Sequence, residues 1–236
     1  WLVGCSTPRP AGKTEAEVLF KEANKLINKE RYLLATEKLN SLRSQHPYSY
    51  YATHAELLQA DILFMQENYV EASGAYILFR DFHPKHKKVP YVLWKIGESF
   101  INQLPSSIDR DLSMAYEAVK YYSELIKKYP NSNHRKNAEE KIRKSEKMLN
   151  EKEQYIADFY FKTNVFDAAR HRYLYILKTI KDRKIRSHAM LRSVISSYKL
   201  RDFQNCLKYS NLFRGQLFKN DINILNTYEI KCKKQN

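Results

Sequence analysis

Residues 60–84 read ADILFMQENYVEASGAYILFRDFHP, and the spacing inside this stretch decides the fold. Ala60 and Ala72 are 12 apart, Tyr69 stands three residues before Ala72, and His83-Pro84 follows 12 residues after Ala72. The same marks recur 37 residues upstream, at Ala23, Tyr32, Ala35 and His46-Pro47, and Gly97 extends the first of them 37 residues downstream. Farther on, Ala157, Phe166 and Ala169 repeat the pattern, as do Phe203 and Cys206, again 37 residues after Phe166 and Ala169. Between Gly97 and Ala118 the gap widens to 21, which places an insertion near 101–111 inside the third unit.

A recurrence of this length marks a helical-hairpin repeat, whose units bury their faces only by stacking. Small residues let two helices cross closely, and the aromatic three residues earlier is expected to wedge against the next hairpin. Proline closes the second helix because it lacks an N–H and constrains the residue before it. Ala16, Leu19, Phe20, Ala23 and Ile27 form the i, i+3, i+4, i+7 stripe of an amphipathic helix. Thr14 with Glu17 reads as its capping box. After Pro130 a long charged helix is expected over 134–163, with Glu139/Arg143 and Glu140/Lys144 as i, i+4 pairs. The fold expected is all-α: a tetratricopeptide-like α-solenoid of five helical hairpins plus a C-terminal helix near 222–234. Its N-terminal repeats span 15–130 and its C-terminal repeats 131–236.

Composition agrees. Five glycines and seven prolines in 236 residues suit helices better than turn-dense sheets. No apolar run approaches the 18 residues of a membrane-spanning helix. The 41 basic against 26 acidic residues leave a net charge of +15, which favours anionic partners. That charge is spread along the helices, with no motif that reads nucleic acid, so it reads as a solvated basic surface facing acidic partners.

The chain opens Trp1-Leu2-Val3-Gly4-Cys5, which resembles a bacterial lipobox. The resemblance makes 1–4 a remnant of a signal peptide, Cys5 the lipidated residue, and 5–14 a tether. Ser6 after the cysteine resembles lipoproteins sorted to the outer membrane. Of the other two cysteines, Cys206 falls on a small-residue repeat position, so a free core thiol is expected there rather than a bridge to Cys232.

Catalytic and metal patterns are missing from the sequence. The seven histidines show no His-Glu-x-x-His spacing, and His46 and His83 are punctuation before prolines. There is no phosphate loop, Cys-x-x-Cys or nucleophile elbow. Asp109-Arg110-Asp111 reads as a helix start with salt bridges. Neither an enzyme, nor a metal site, nor a cofactor other than covalent lipid is expected.

The order of these motifs resembles the BamD family of outer-membrane assembly lipoproteins. The resemblance rests on Pro47-Tyr48-Ser49-Tyr50-Tyr51-Ala52, on Phe82-His83-Pro84 through Tyr91 and Gly97, and on Asp109-Arg110-Asp111. It continues in Tyr129-Pro130-Asn131-Ser132 and in Glu153 through Ala157 and Tyr160 into Phe166. It implies a scaffold at the periplasmic face of the outer membrane. C-terminal repeats would hold the barrel-forming core subunit through Arg172, with Arg170 beside it. N-terminal repeats would bind unfolded outer-membrane proteins, with Tyr48, Tyr51 and Tyr91 lining a groove for an extended apolar segment. Other assembly lipoproteins are implied as partners, and nucleic acid is not. The chain departs from the family pattern at His86-Lys87 and Pro90, and Lys85, Lys87 and Lys88 make that corner unusually basic. The alternative is another lipid-anchored repeat scaffold, serving pilus or secretin assembly or the cell wall.

Overall fold

The computed structural model describes residues 11–235. Among them are eleven α-helices, one 3₁₀ turn and no strand. The hairpins are α1 (Glu15–Ile27) with α2 (Tyr32–Gln45), α3 (Tyr50–Met65) with α4 (Tyr69–Phe82), and α5 (Val89–Asn102) with α6 (Ser113–Lys128). They continue as α7 (Arg135–Lys162) with α8 (Phe166–Thr179) and α9 (Arg183–Lys199) with α10 (Phe203–Phe213), and α11 (Lys219–Lys233) closes the series. The chain divides into two compact units. One runs up to Leu104 and takes in Ser113–Arg143; the other comprises Pro105–Leu112 and the chain from Lys144 onward.

The repeat marks do the work their spacing implies. Ala23, Ala35, Ala60, Ala72, Ala118, Ala157, Ala169 and Cys206 are all fully buried. Gly97 leaves no room for a side chain, because a Cβ there would stand 2.4 Å from the Tyr122 ring. The aromatics before the second small residue also pack within their own hairpin, and Phe166 in addition meets Lys199 of the next one. Their ring partners lie five residues earlier, across the turn of the same hairpin: Phe64–Tyr69 at 5.2 Å, Phe161–Phe166 at 5.4 Å and Tyr198–Phe203 at 6.2 Å. At each of these turns one non-glycine residue is left-handed: Glu67 (φ 62°), Asn164 (63°) and Arg201 (58°). Glu30 (58°) holds the same place in the first hairpin. The helix ends before proline also match, since His46 and His83 cap α2 and α4 with nearly identical non-helical backbone.

Local signals set the ends. Thr14 Oγ1 accepts from Glu17 N at 3.2 Å, and Glu17 returns by accepting from Lys13 N at 2.9 Å. Along α7, Glu139 pairs with Arg135 at 2.8 Å, one turn N-terminal, rather than with Arg143 as its spacing suggested. Lys152 is one of the side chains that hold the inserted segment of the third hairpin. Lys152 Nζ donates to the carbonyls of Ile108 (3.1 Å), Asp109 (3.4 Å) and Arg110.

Three hairpins are pinned by a carboxylate one residue after the first small position. Asp61 accepts from Tyr76 at 2.6 Å and from Tyr91 at 2.7 Å. Glu98 accepts from Tyr122 and, at 3.2 Å, from Lys141. Asp158 accepts from Tyr173 and His188, both at 2.6 Å. The first donor in each case sits four residues after the second small position. The second comes from the hairpin that follows, so each carboxylate ties one repeat to the next. Buried polar groups must be paired, and these are.

The expectation of a free thiol at Cys206 is corrected. Cys206 and Cys232 form a disulfide, with Cα atoms 6.5 Å apart. Cys206 is buried at the small position, as its spacing implies. However, α11 packs on both α9 and α10 and brings Cys232 against it. The bridge closes a span of 26 residues, and constraining a loop of that size contributes about 3.5 kcal/mol.

Candidate functional site

A concavity in the first unit lies between α2, α3 and α4. Ile62 and Phe79 form its floor, while Leu33, Leu78 and Phe82 stand exposed on its walls. Its volume is about 560 Å³, within the range of ligand-binding clefts. A polar fence runs along one side. Arg43 donates to Gln59 at 2.7 Å and to Glu56 at 2.9 Å, and His83 Nε2 stands 2.7 Å from the other Glu56 oxygen. Exposed Leu and Phe on adjoining helices, fenced by paired charges, give a cleft suited to an apolar segment.

The three tyrosines expected to line a groove are placed differently. Tyr48 is fully exposed on the turn between α2 and α3. Tyr51 is half-buried against Phe20 and Tyr50, with ring centres 5.4 and 5.5 Å apart. Tyr91 is partly buried and gives its hydroxyl to Asp61. Burial drives the Tyr91 phenol well above its usual range, and the Asp61 charge adds to this. Among the described residues no ring contact joins the three. The cleft itself escaped the sequence reading. Its signal was available as apolar residues off the core stripe, Leu33 on α2 and Leu78 with Phe82 one turn apart on α4.

In the second unit, Arg170 and Arg172 both project from α8 but differ in engagement. Arg170 Nη1 donates to Asp202 at 2.6 Å and to Ser197 at 3.3 Å, linking α8 to the turn before α10. Burial would raise the Asp202 carboxyl, yet hydrogen bonds from Asn205 and Arg170 hold it below its ordinary value. Arg172 is more exposed, and its nearest acid, Glu153 Oε2, lies 3.6 Å away, beyond hydrogen-bond reach. It is the arginine free to exchange that loose contact for another. Among the described residues no cluster of His, Cys, Asp or Glu could hold a metal ion. No helix there is long and apolar enough to cross a membrane. Cys5 lies outside the described residues.

Comparison with known proteins then decides the family. The family model YfiO, described as outer membrane lipoprotein, matches residues 13–212. The chain belongs to this family. Its YfiO-type relatives include the outer membrane protein assembly factor BamD of Neisseria gonorrhoeae. That protein is 29% identical over 187 residues, which cover 72% of this chain and 70% of the relative. BamD of Rickettsia prowazekii is 26% identical over 213 residues, covering 89% of this chain and 84% of that one. Among solved structures, the TPR2AB-domain:pHSP90-complex of yeast Sti1 covers 94% of this chain and 100% of its own, at TM-score 0.45 and 14% identity. PilW, a type IV pilus biogenesis factor, covers 91% of this YfiO-family chain and 99% of its own, at TM-score 0.41 and 10% identity. The family is the one its motifs resemble, and the architecture is all-helical as the repeat spacing implies.

Proposed function

We propose that this chain is a scaffold of the machinery that assembles outer-membrane β-barrel proteins, anchored by lipid on Cys5 at the periplasmic face. The observation that carries the reading is the match of residues 13–212 to a family of outer membrane lipoproteins. Relatives named as outer membrane protein assembly factors add to it. The C-terminal repeats bind the barrel-forming core subunit, and Arg172 is the contact residue its loose pairing favours. Arg170 supports that surface by holding the turn at Asp202. The N-terminal repeats bind unfolded outer-membrane proteins. The α2–α4 cleft receives the apolar segment, and Tyr48, Tyr51 and Tyr91 offer further ring surface on the same repeats. Other assembly lipoproteins complete the partner set. The role requires no catalytic step, no metal and no nucleic acid.

Arg172→Glu tests the core contact. It should cut co-purification with the barrel-forming subunit by about tenfold, the loss of one charge-assisted pair, with helicity unchanged by circular dichroism. Co-purification at the wild-type level would remove Arg172 from the interface. Metabolic palmitate labelling, lost in Cys5→Ser, tests the anchor separately.

A further inference from the structure

The first unit carries a second surface of different chemistry. Lys88, Tyr91 and Lys95 fall at i, i+3 and i+7 and so share one face at the start of α5. The Lys95 ammonium lies 3.5 Å from the centre of the Phe64 ring, 5.3 Å from that of Trp94 and 5.9 Å from that of Tyr91. Lys88 Nζ lies 5.7 Å from the centre of the Tyr91 ring. Trp94 is held flat: it stacks on His134 at 4.5 Å and 11°, and its Nε1 donates to Asn137 at 2.8 Å.

Neither ammonium has an ion-pair partner among the described residues. The acids close to them are already engaged, Asp61 by two tyrosine hydroxyls and Glu98 by Tyr122 and Lys141. Burial also pulls Lys95 below its ordinary range, and the pull of Asp61 and Glu98 does not restore it. Burial, Lys88 and Lys95 together hold His134 low, so it adds ring surface rather than charge. Half-burying an ammonium without an acid is costly, and such positions cluster at binding sites. Lys85 and Lys87 are exposed just ahead of α5 and strengthen the field.

We propose that this face of α5 binds an extended acidic segment of a partner protein, two carboxylates pairing with Lys88 and Lys95 across the rings of Tyr91 and Trp94. Both ammoniums lie within 6 Å of the Tyr91 centre, so they are no more than about 12 Å apart. Carboxylates two residues apart on an extended chain start about 7 Å apart and reach outward from there. The backbone between them then crosses the aromatic surface while the middle side chain points away, which selects an acid–x–acid pattern. Nucleic acid asks for a line of cations following its phosphates, whereas this site offers two charges set among rings. Tyr91 is common to this surface and the groove of the assembly reading, but Lys88 and Lys95 belong to this one alone. Neither site requires the other.

Trp94 is the built-in reporter once the only other tryptophan is removed as Trp1→Phe. The probes are the acetylated, amidated peptide Ser-Asp-Leu-Asp-Ser and its Asn counterpart, titrated at about 0.15 M salt to screen non-specific attraction. The acidic peptide should quench Trp94 saturably and bind at least about tenfold tighter than the amide peptide. Lys88→Gln with Lys95→Gln should lose about the same factor. Lys95→Arg, which keeps the charge, and the control Lys127→Gln with Lys128→Gln should bind as wild type. Lys88→Gln alone, at an exposed position, should weaken binding by about threefold or more even if the Lys95 change disturbs packing. Equal binding of the two peptides overturns the proposal, as does wild-type binding by the lysine variants. Tighter, lysine-dependent quenching by oligothymidylate or by anionic vesicles assigns the surface to phosphates and overturns it too.

Discussion

Asp61 and Asp158 hold the same place in two repeats, each one residue after a buried alanine and each accepting a tyrosine hydroxyl from 15 residues downstream. Both also accept from 30 residues downstream, where Asp61 meets a second tyrosine, Tyr91, and Asp158 meets His188. Their acid–base character is opposite, because Asp61 is the more deeply buried and Asp158 has the imidazole and a further hydrogen bond from Gln154. Burial pushes the Asp61 carboxyl up, and two neutral hydroxyl donors do not offset it. Burial pushes Asp158 up as well, but hydrogen bonds from His188 and Tyr173, with the attraction of the imidazole, bring it below its ordinary value. A repeated position can therefore keep its geometry and still change its response to pH through its depth and its donors.

The largest separation of the two units should come from the disulfide. Reduction, or Cys206→Ser with Cys232→Ser, should lower the stability of the second unit by about 3.5 kcal/mol. Amide exchange should quicken in α9 to α11 while α3 to α5 stay protected. Loss of protection in both units together would show that they do not respond separately, and the comparison would fail with it.

Gly97 gives the next effect, this time in the first unit. The Tyr122 ring is fixed by its hydroxyl to Glu98, so it cannot yield to a methyl group at 2.4 Å. Gly97→Ala should cost about 1–3 kcal/mol by overpacking, although alanine is the native residue at the matching positions 60 and 157. Chemical denaturation measures it. An unchanged midpoint would mean that Tyr122 is not confined by its carboxylate as the other two tyrosines are.

The smallest effect addresses the two aspartates directly. Asp158→Asn removes the charge facing His188 and should cost about 1–2 kcal/mol. Asp61→Asn keeps an oxygen for both hydroxyls and relieves a buried charge, so the change should stay within about 0.5 kcal/mol. The pH dependence should divide the same way. With its pKa lowered from 3.8, Asp158 contributes stability that is present above that value and lost as pH falls through the folded one. With its pKa raised from 3.8, Asp61 contributes most below that value and loses the contribution as pH rises through the folded one. Exchange measured on either side of this range should show the second unit loosening in acid and the α3–α5 region holding. Identical acid profiles would overturn the assigned roles of Tyr91 and His188.

Much of this architecture was legible because only small residues fit at these helix crossings, which leaves a period in the sequence. Ala23, Ala60 and Gly97 revealed it without any consensus motif. The carboxylate ties were legible in principle, since Asp61 and Asp158 each follow a small residue and precede a tyrosine by 15, but only packing shows that those groups meet. The disulfide was hidden for a related reason. The period made Cys206 small and buried, while its partner depends on where α11 returns, which no repeat specifies. The candidate groove was the least legible. Tyr48, Tyr51 and Tyr91 are conspicuous as letters, yet the cleft is walled by Leu33, Leu78 and Phe82, and a cleft depends on which face of a helix its neighbours leave bare.

The left-handed turns carry a consequence for how such a chain can diverge. Glu30, Glu67, Asn164 and Arg201 share one backbone conformation although two are acidic, one is an amide and one is basic. None is glycine, the residue most at ease there, so the bend is imposed by the helices on either side rather than chosen by the residue that makes it. Copies of a duplicated unit can then change that letter without changing their shape. Kinship between such copies is written more durably in the torsion angles than in the alphabet.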